Sequence, residues 1–400
     1  MFETLEMAKA DPILGLNEAF NADSRSSKVN LGVGVYKDDS GNTPILLSVK
    51  TAENALIKNE KTKGYLGIVG KPSYNNQVKD LILGINHPVL QQNRAATVQA
   101  PGGTGALKIA ADFLKKYHSA QSIWISNPSW ANHKQIFSQN GFTVKSYRYY
   151  DAKNKALDFE GFIDDLDSIP SGEIVLLHAC CHNPTGVDPS PSQWEKIADI
   201  IAEKKLLVLF DMAYQGFANS VDQDPEAIRV FANKLDTLLI ASSFSKNFGL
   251  YNERIGALTF IGATEKIAQC ALSQIKVLIR TNYSNPPAHG ALIVDTILNQ
   301  TELKQQWLTE LASMNKRIKA MRVNLAQALS NALPDEDFSF ITQQNGMFSF
   351  SGLTLNQVHH LKHNKGIYIV DSGRINIAGL TTNNLNYVAD SIIEAIKIAP

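Results

Sequence analysis

Short apolar runs that stop abruptly in polar residues constrain this chain more than any other feature of it. Leu238-Leu239-Ile240-Ala241 reads as a buried parallel strand, and Ile174-Val175-Leu176-Leu177, Leu206-Leu207-Val208-Leu209-Phe210, Ile123-Trp124-Ile125-Ser126 and Thr97-Val98-Gln99-Ala100 read as strands of the same kind. Helical patterns alternate with these runs between about residues 45 and 313, so that stretch is expected to form βα units of a mostly parallel sheet. After Met314 the pattern changes to a long amphipathic helix on Met314, Ile318, Met321, Leu325 and Leu329. It is followed by Phe348-Ser349-Phe350, Tyr368-Ile369-Val370 and a closing helix. A chain of 400 residues with 44% hydrophobic content can bury a large core, and the length fits one large domain plus a smaller one. The expected class is α/β, with no repeat, low-complexity tract or long linker.

Open parallel sheets bind ligands at the carboxyl ends of their strands, so the residues just past each run carry the chemical argument. Lys246 follows the run at 238–241, within Ser242 to Gly256, and its amine can form a Schiff base with an aldehyde. Ser243, Ser245 and Arg254 supply hydroxyl and guanidinium donors suited to a phosphate. An aldehyde carrying a phosphate is pyridoxal 5'-phosphate. Asp211 and Tyr214 fall just past the run at 206–210, and the pyridine nitrogen of that cofactor needs a carboxylate partner to stay protonated. Asn183, in Asn183-Pro184-Thr185-Gly186, offers an amide to the phenolic oxygen, and Trp130 offers an indole face to a flat heteroaromatic ring. Gly102-Gly103-Thr104-Gly105 opens a helical pattern running from Ala106 to Tyr117, where backbone N–H groups point at an anion and small residues let it approach. Neither a Walker loop nor a dinucleotide fingerprint is completed there.

Other chemistries find less support. His178, Cys180, Cys181 and His182 sit close in sequence, but alternation along a strand sends them to different faces, and no metal ion is expected. Lys and Arg total 38, as do Asp and Glu, so no charge excess attracts nucleic acid or a membrane surface. Three cysteines, an adjacent pair and the distant Cys270, suit reduced thiols rather than a disulfide framework. The opening residues lack a basic start and an apolar core, and no run approaches the length of a membrane span, so a cytoplasmic location is expected. A nicotinamide-dependent dehydrogenase would give Lys246 no task. A non-catalytic cofactor-binding regulator would need a DNA-binding domain for which the chain has neither spare length nor a basic segment.

The string Ser243-x-Ser245-Lys246-x-Phe248-x-Leu250-Tyr251-x-Glu253-Arg254, together with Cys180 to Gly186, Tyr214-Gln215-Gly216-Phe217, Asn282 to Gly290 and Ser372-Gly373-Arg374, resembles the class I aminotransferases. More narrowly it is similar to their aspartate and aromatic amino acid subfamily, from Asp11 to the last helix. The resemblance implies a fold type I transferase with an arm at residues 1–11, a small domain at 12–44 and 314–400, and a large cofactor domain at 45–313. It implies a homodimer with shared active sites, transaminating aspartate or the aromatic amino acids tyrosine, phenylalanine and tryptophan with 2-oxoglutarate.

Roles follow residue by residue from the same resemblance. Lys246 is anchor and then general base. Ser243, Arg254, Gly103 and Thr104, with Tyr65 of the neighbouring subunit, hold the phosphate. His133 and His178 stabilise the Asp211 carboxylate, while Arg374 forks the α-carboxylate and Gly34 and Phe348 line the substrate. Arg280, donated across the dimer, meets a side-chain carboxylate. Val35, Lys37, Thr43, Thr104 and Asn285 look like the aspartate branch. Gly64, where asparagine is usual, departs from it, and 87–90 and 174–178 look like the aromatic branch, so dual specificity is expected. A strictly aspartate-specific enzyme, or a lyase or decarboxylase using the same cofactor, are the alternatives.

Overall fold

The protein, described as a computed structural model, is defined at residues 1–7 and 12–398, so residues 8–11 of the expected arm lie outside the described residues. The chain divides into two compact units, Met1–Thr43 with Arg317–Pro400, and Pro44–Lys316, the division falling inside the helix Thr301–Ala332. That helix begins well before Met314. Its first turns are polar on most faces but bury Leu303, Trp307 and Leu311, a stripe the amphipathic reading started too late to include.

The larger unit is built on a seven-stranded sheet. In chain order its strands are β1 Ala95–Pro101, β2 Ser122–Asn127, β3 Thr143–Arg148, β4 Ile174–His178, β5 Leu207–Met212, β6 Leu238–Ser243 and β7 Ile255–Ile261. They lie in the order β1-β7-β6-β5-β4-β2-β3. Every neighbouring pair is parallel except those made by β7, which runs antiparallel to β1 and β6. Only eleven residues, 244–254, join β6 to β7, fewer than a crossover helix needs, so the chain must turn straight back. β4 and β6 are buried along their whole length because helices cover both faces. The helix Gly102–Tyr117 drives Ala106, Leu107, Ala110 and Leu114 against Val98, Leu239, Ala241 and Leu258, the centre of the core. This helix starts at Gly102, four residues ahead of the apolar periodicity that marks it in the sequence, since small residues carry its first turn.

The smaller unit has two short strand pairs. Val29–Asn30 runs parallel to Ile367–Tyr368, and Phe348–Phe350 runs antiparallel to Arg374–Asn376. Arg322 braces the second pair: it is fully buried, and its guanidinium donates to the carbonyls of Ile341, Gly346 and Phe348. A buried cation is tolerated because carbonyl oxygens satisfy its donors. Among the described residues no helix is long and apolar enough to cross a membrane.

Candidate active site

Strand register collects the polar residues of the larger unit on one edge. His178 pairs with Asp211 at the ends of β4 and β5, Met212 with Ser242, Ser243 with Gly256, and Ile255 with Pro101. The residues that follow, Gly102 to Thr104, Asn127 to Trp130, Asn183, Tyr214, Lys246 and Arg254, therefore leave the sheet at the same end. Lys246 Nζ stands 5.0 Å from the centroid of the Tyr214 ring, a cation–π distance, and its charge acts on Asp211.

Asp211 is buried, which alone would raise its pKa. The hydrogen bond from His133, helped by Lys246, outweighs burial and holds the carboxyl below its usual range, so it stays ionised. The hydrogen-bonded chain behind it starts from a ring whose tautomer is fixed. The backbone N–H of Asn183 donates to His178 Nδ1 at 3.3 Å, leaving the proton of that ring on Nε2, 3.3 Å from Ser129 Oγ. Ser129 Oγ lies 2.9 Å from His133 Nδ1, and His133 Nε2 lies 2.9 Å from Asp211 Oδ2. The His178 ring is therefore a donor toward Ser129 Oγ, and His133 Nε2 donates to the carboxylate. Burial, helped by nearby His133, pushes His178 down to about 3, which agrees with a neutral ring. Ser129 was not among the residues expected here. Its position four residues before His133, on the turn entering the helix Ala131–Gln139, was the available signal.

A second cluster forms an anion cradle. Arg254 takes a positive φ of 53°, and its Nη1 donates to Ser245 Oγ at 3.2 Å and to the Tyr251 carbonyl at 2.9 Å. Its guanidinium lies over Gly102, where a Cβ would come within 2.4 Å of Arg254 Nη2, and a Cβ on Gly103 would sit 3.0 Å from Ser243 Cβ. Glycine is thus required for the guanidinium and the first-turn N–H groups of Gly103 and Thr104 to face one space. A helix N-terminus, two serines and an arginine make a fit for a phosphate. A nearby lysine and an ionised carboxylate fit the aldehyde and the ring nitrogen of the expected cofactor. Gly102→Ala should lower the thermal midpoint more than Gly84→Ala. Both sites have φ near +80°, costing about 1–2 kcal/mol for alanine, but nothing lies within 4 Å of a Cβ at Gly84. Equal melting shifts would mean that the arginine overlies Gly102 without pressing on it.

The smaller unit holds a separate cationic site. Arg374 is buried, donates from Nη2 to the Gly32 carbonyl at 2.7 Å, and has its guanidinium carbon 4.1 Å from the Phe348 ring centroid. Gly34 faces the same ring, and a Cβ there would meet Phe348 Cζ at 2.7 Å. Asn376 pins this loop by donating to the Val33 and Val35 carbonyls.

Two expected residues stay outside both clusters. Tyr65 is 94% exposed. Arg280 is exposed at the end of the helix Glu265–Asn282, where its Nη1 donates to Ser284 Oγ, and Ser284 takes a φ of 69°. The Cys180–His182 segment follows the end of β4 rather than continuing it, so strand alternation is not what separates its side chains. His182 is turned aside by hydrogen bonds to Ser126 and Thr185, both 2.8 Å. Cys180 and Cys181 do approach Asp224, but that carboxylate already accepts from the backbone N–H groups of Gly216, Ala218, Asn219 and Ser220. A hydrogen bond with Cys181, together with burial, pushes the Cys180 thiol up, so it is a protonated, poor ligand.

Comparisons with known proteins agree with this geometry. Residues 26–392 match the family described as aminotransferase class I and II. The aspartate aminotransferase of Haemophilus influenzae is 53% identical over 396 residues, covering 99% of this chain and 100% of that protein. The aromatic-amino-acid aminotransferase of Pseudomonas aeruginosa is 43% identical, covering 98% of each. Among solved structures, the aromatic-amino-acid aminotransferase from Burkholderia pseudomallei, covalently bound to pyridoxal phosphate, superposes with a TM-score of 0.97 at 48% identity and 99% coverage of both chains.

Proposed function

The chain belongs to the class I and II aminotransferases, and we propose that it moves the amino group of aspartate or an aromatic L-amino acid to 2-oxoglutarate, using pyridoxal 5'-phosphate held at the carboxyl edge of the large sheet. The observation that carries this reading is the convergence of Lys246, ionised Asp211 and the Gly102–Arg254 cradle on that edge. When bound, the cofactor supplies a conjugated cationic ring that takes up the electron pair released as the Cα–H bond breaks.

The side chains divide the remaining tasks. Arg254, Ser243, Ser245 and the N–H groups of Gly103 and Thr104 hold the phosphate, with Tyr65 of a second copy. Lys246 anchors the aldehyde and afterwards holds the migrating proton at Nζ, where proximity to a charged carboxylate and an aromatic face keeps it in place. Asp211 keeps a proton on the ring nitrogen by staying negative, which is what the His133–Ser129–His178 chain secures. Tyr214 and Asn183 donate to the phenolic oxygen, and Trp130 stacks on the ring. Arg374 forks the α-carboxylate, so the bond to be broken is chosen by orientation, and Phe348 and Gly34 shape the wall beside it. The protein works as a homodimer in the cytoplasm.

The test is kcat/KM for aspartate, tyrosine and phenylalanine side by side, each with 2-oxoglutarate, on protein showing a visible absorbance band. Amino transfer to 2-oxoglutarate supports the reading, and release of ammonia or carbon dioxide without transfer would assign a lyase or decarboxylase. Asp211→Asn keeps the shape and removes the charge. It should retain the cofactor through the cradle while proton removal in single turnover slows strongly, and near-native single-turnover rates would contradict the role given to Asp211.

A further inference from the structure

The helix Leu355–Lys365 in the smaller unit has two unlike faces. Val358 and Leu361 are fully buried, whereas His359 and His363 are exposed on the other side. Four residues apart on a helix, they are neighbours on one face, as in helical metal-binding motifs. Their ring centroids lie 6.0 Å apart with the planes at 75°. Among the described residues neither ring joins a hydrogen bond or ion pair. His360 is turned elsewhere, its Nε2 3.2 Å from Glu394 Oε1.

The backbone beneath the pair is held at both ends. Thr354 and Gln357 form a capping box at the N-terminus, and Gly366 closes the other end at a φ of 66°. Arg25 donates to the Lys362 and His363 carbonyls, the first of which also accepts from the Gly366 N–H. The spacing of the two imidazoles is therefore set by a rigid turn rather than by a frayed one.

We propose that His359 and His363 form a surface chelate for a divalent transition ion of the copper, nickel and zinc class, each giving one ring nitrogen, with water completing the coordination. Imidazole nitrogen suits those ions. Metal–nitrogen bonds of about 2.0–2.1 Å bring two ring centroids to roughly 5 Å at a tetrahedral angle, and exposed side chains close the remaining gap by rotating about their χ bonds. Hard cations are excluded by chemistry. The helix LNQVHHLKHNK carries no carboxylate, so magnesium and calcium, which favour anionic oxygen ligands, find none on it. Binding to the native helix but not to the unfolded chain should also raise the thermal midpoint as nickel is added. Nothing in this site depends on the proposed reaction.

The experiment uses untagged holoenzyme free of chelators. Isothermal titration with Ni2+ should show one ion per chain. His359→Gln and His363→Gln should each weaken binding by at least about tenfold, because a single imidazole loses the effective concentration that the second supplies. His360→Gln should bind as the native protein does, and Mg2+ should show no heat of binding. Both histidines are exposed, so circular dichroism and melting without metal should be unchanged in His359→Gln and His363→Gln. Nickel affinity untouched by either of the first two substitutions, or weakened equally by His360→Gln, would overturn the proposal and place the ion elsewhere.

Discussion

Lys246→Ala should still bind pyridoxal phosphate and should lose nearly all amino transfer. The cradle of Gly103, Thr104, Ser243, Ser245 and Arg254 does not involve the lysine amine, nor does the bond from His133 to Asp211, so the cofactor keeps its phosphate and ring-nitrogen partners. What disappears is the covalent anchor and the only group assigned to hold the migrating proton. General acid–base catalysis is typically worth about 10²–10⁴-fold, and loss of the anchoring step adds to that. In the native protein borohydride should fix the cofactor irreversibly, and mass spectrometry of a digest should find it on Lys246. A label on another lysine, or an alanine variant turning over at a near-native rate, would sink the assignment.

Strand ends were legible in the sequence because burial on both faces leaves an uninterrupted apolar run, and the break to polar residues is sharp at Asp211, at Ser242 and after Leu177. Lys246 and Asp211 stand at such breaks, so their common edge could be anticipated, whereas Arg254 reaches it only because the segment 244–254 turns back into β7. Close approach could not. That Gly102 lies under the Arg254 guanidinium, and Gly34 under the Phe348 ring, depends on segments far apart in the chain and leaves no mark on local periodicity. Ser129 was passed over for a related reason: a serine in an Asn-Pro-Ser-Trp turn looks like turn chemistry, and its link between two histidines emerges only when β2 and β4 pair. The antiparallel β7 was equally hidden, since its apolar run looks like the others and only the shortness of segment 244–254 sets its direction. Arg280 and Tyr65 show the limit of a single chain. Both are exposed, as residues donated to a second copy would be.

Arg280→Leu should therefore be the more searching experiment, because it separates substrates and then subunits. Truncating one partner of a desolvated charge pair costs about 2–5 kcal/mol, so kcat/KM for aspartate should fall at least about thirtyfold. Phenylalanine should lose far less, since its side chain brings no carboxylate to be left unpaired. Equal losses would make Arg280 a structural residue, its guanidinium serving the Ser284 hydroxyl that it already donates to. The shared-site proposal then makes a sharper demand. In a dimer joining a Lys246→Ala chain to an Arg280→Leu chain, one site combines the intact Lys246 of the second chain with the intact Arg280 of the first, while the other site carries both defects. Each parent homodimer has two defective sites. Mixing the variants under conditions that exchange subunits should restore about half of the native aspartate activity per mixed dimer, as a symmetric dimer with shared sites requires. If mass measurement confirms exchange and activity stays at the level of the parents, Arg280 acts within its own chain, and the exposure of Tyr65 needs a different explanation.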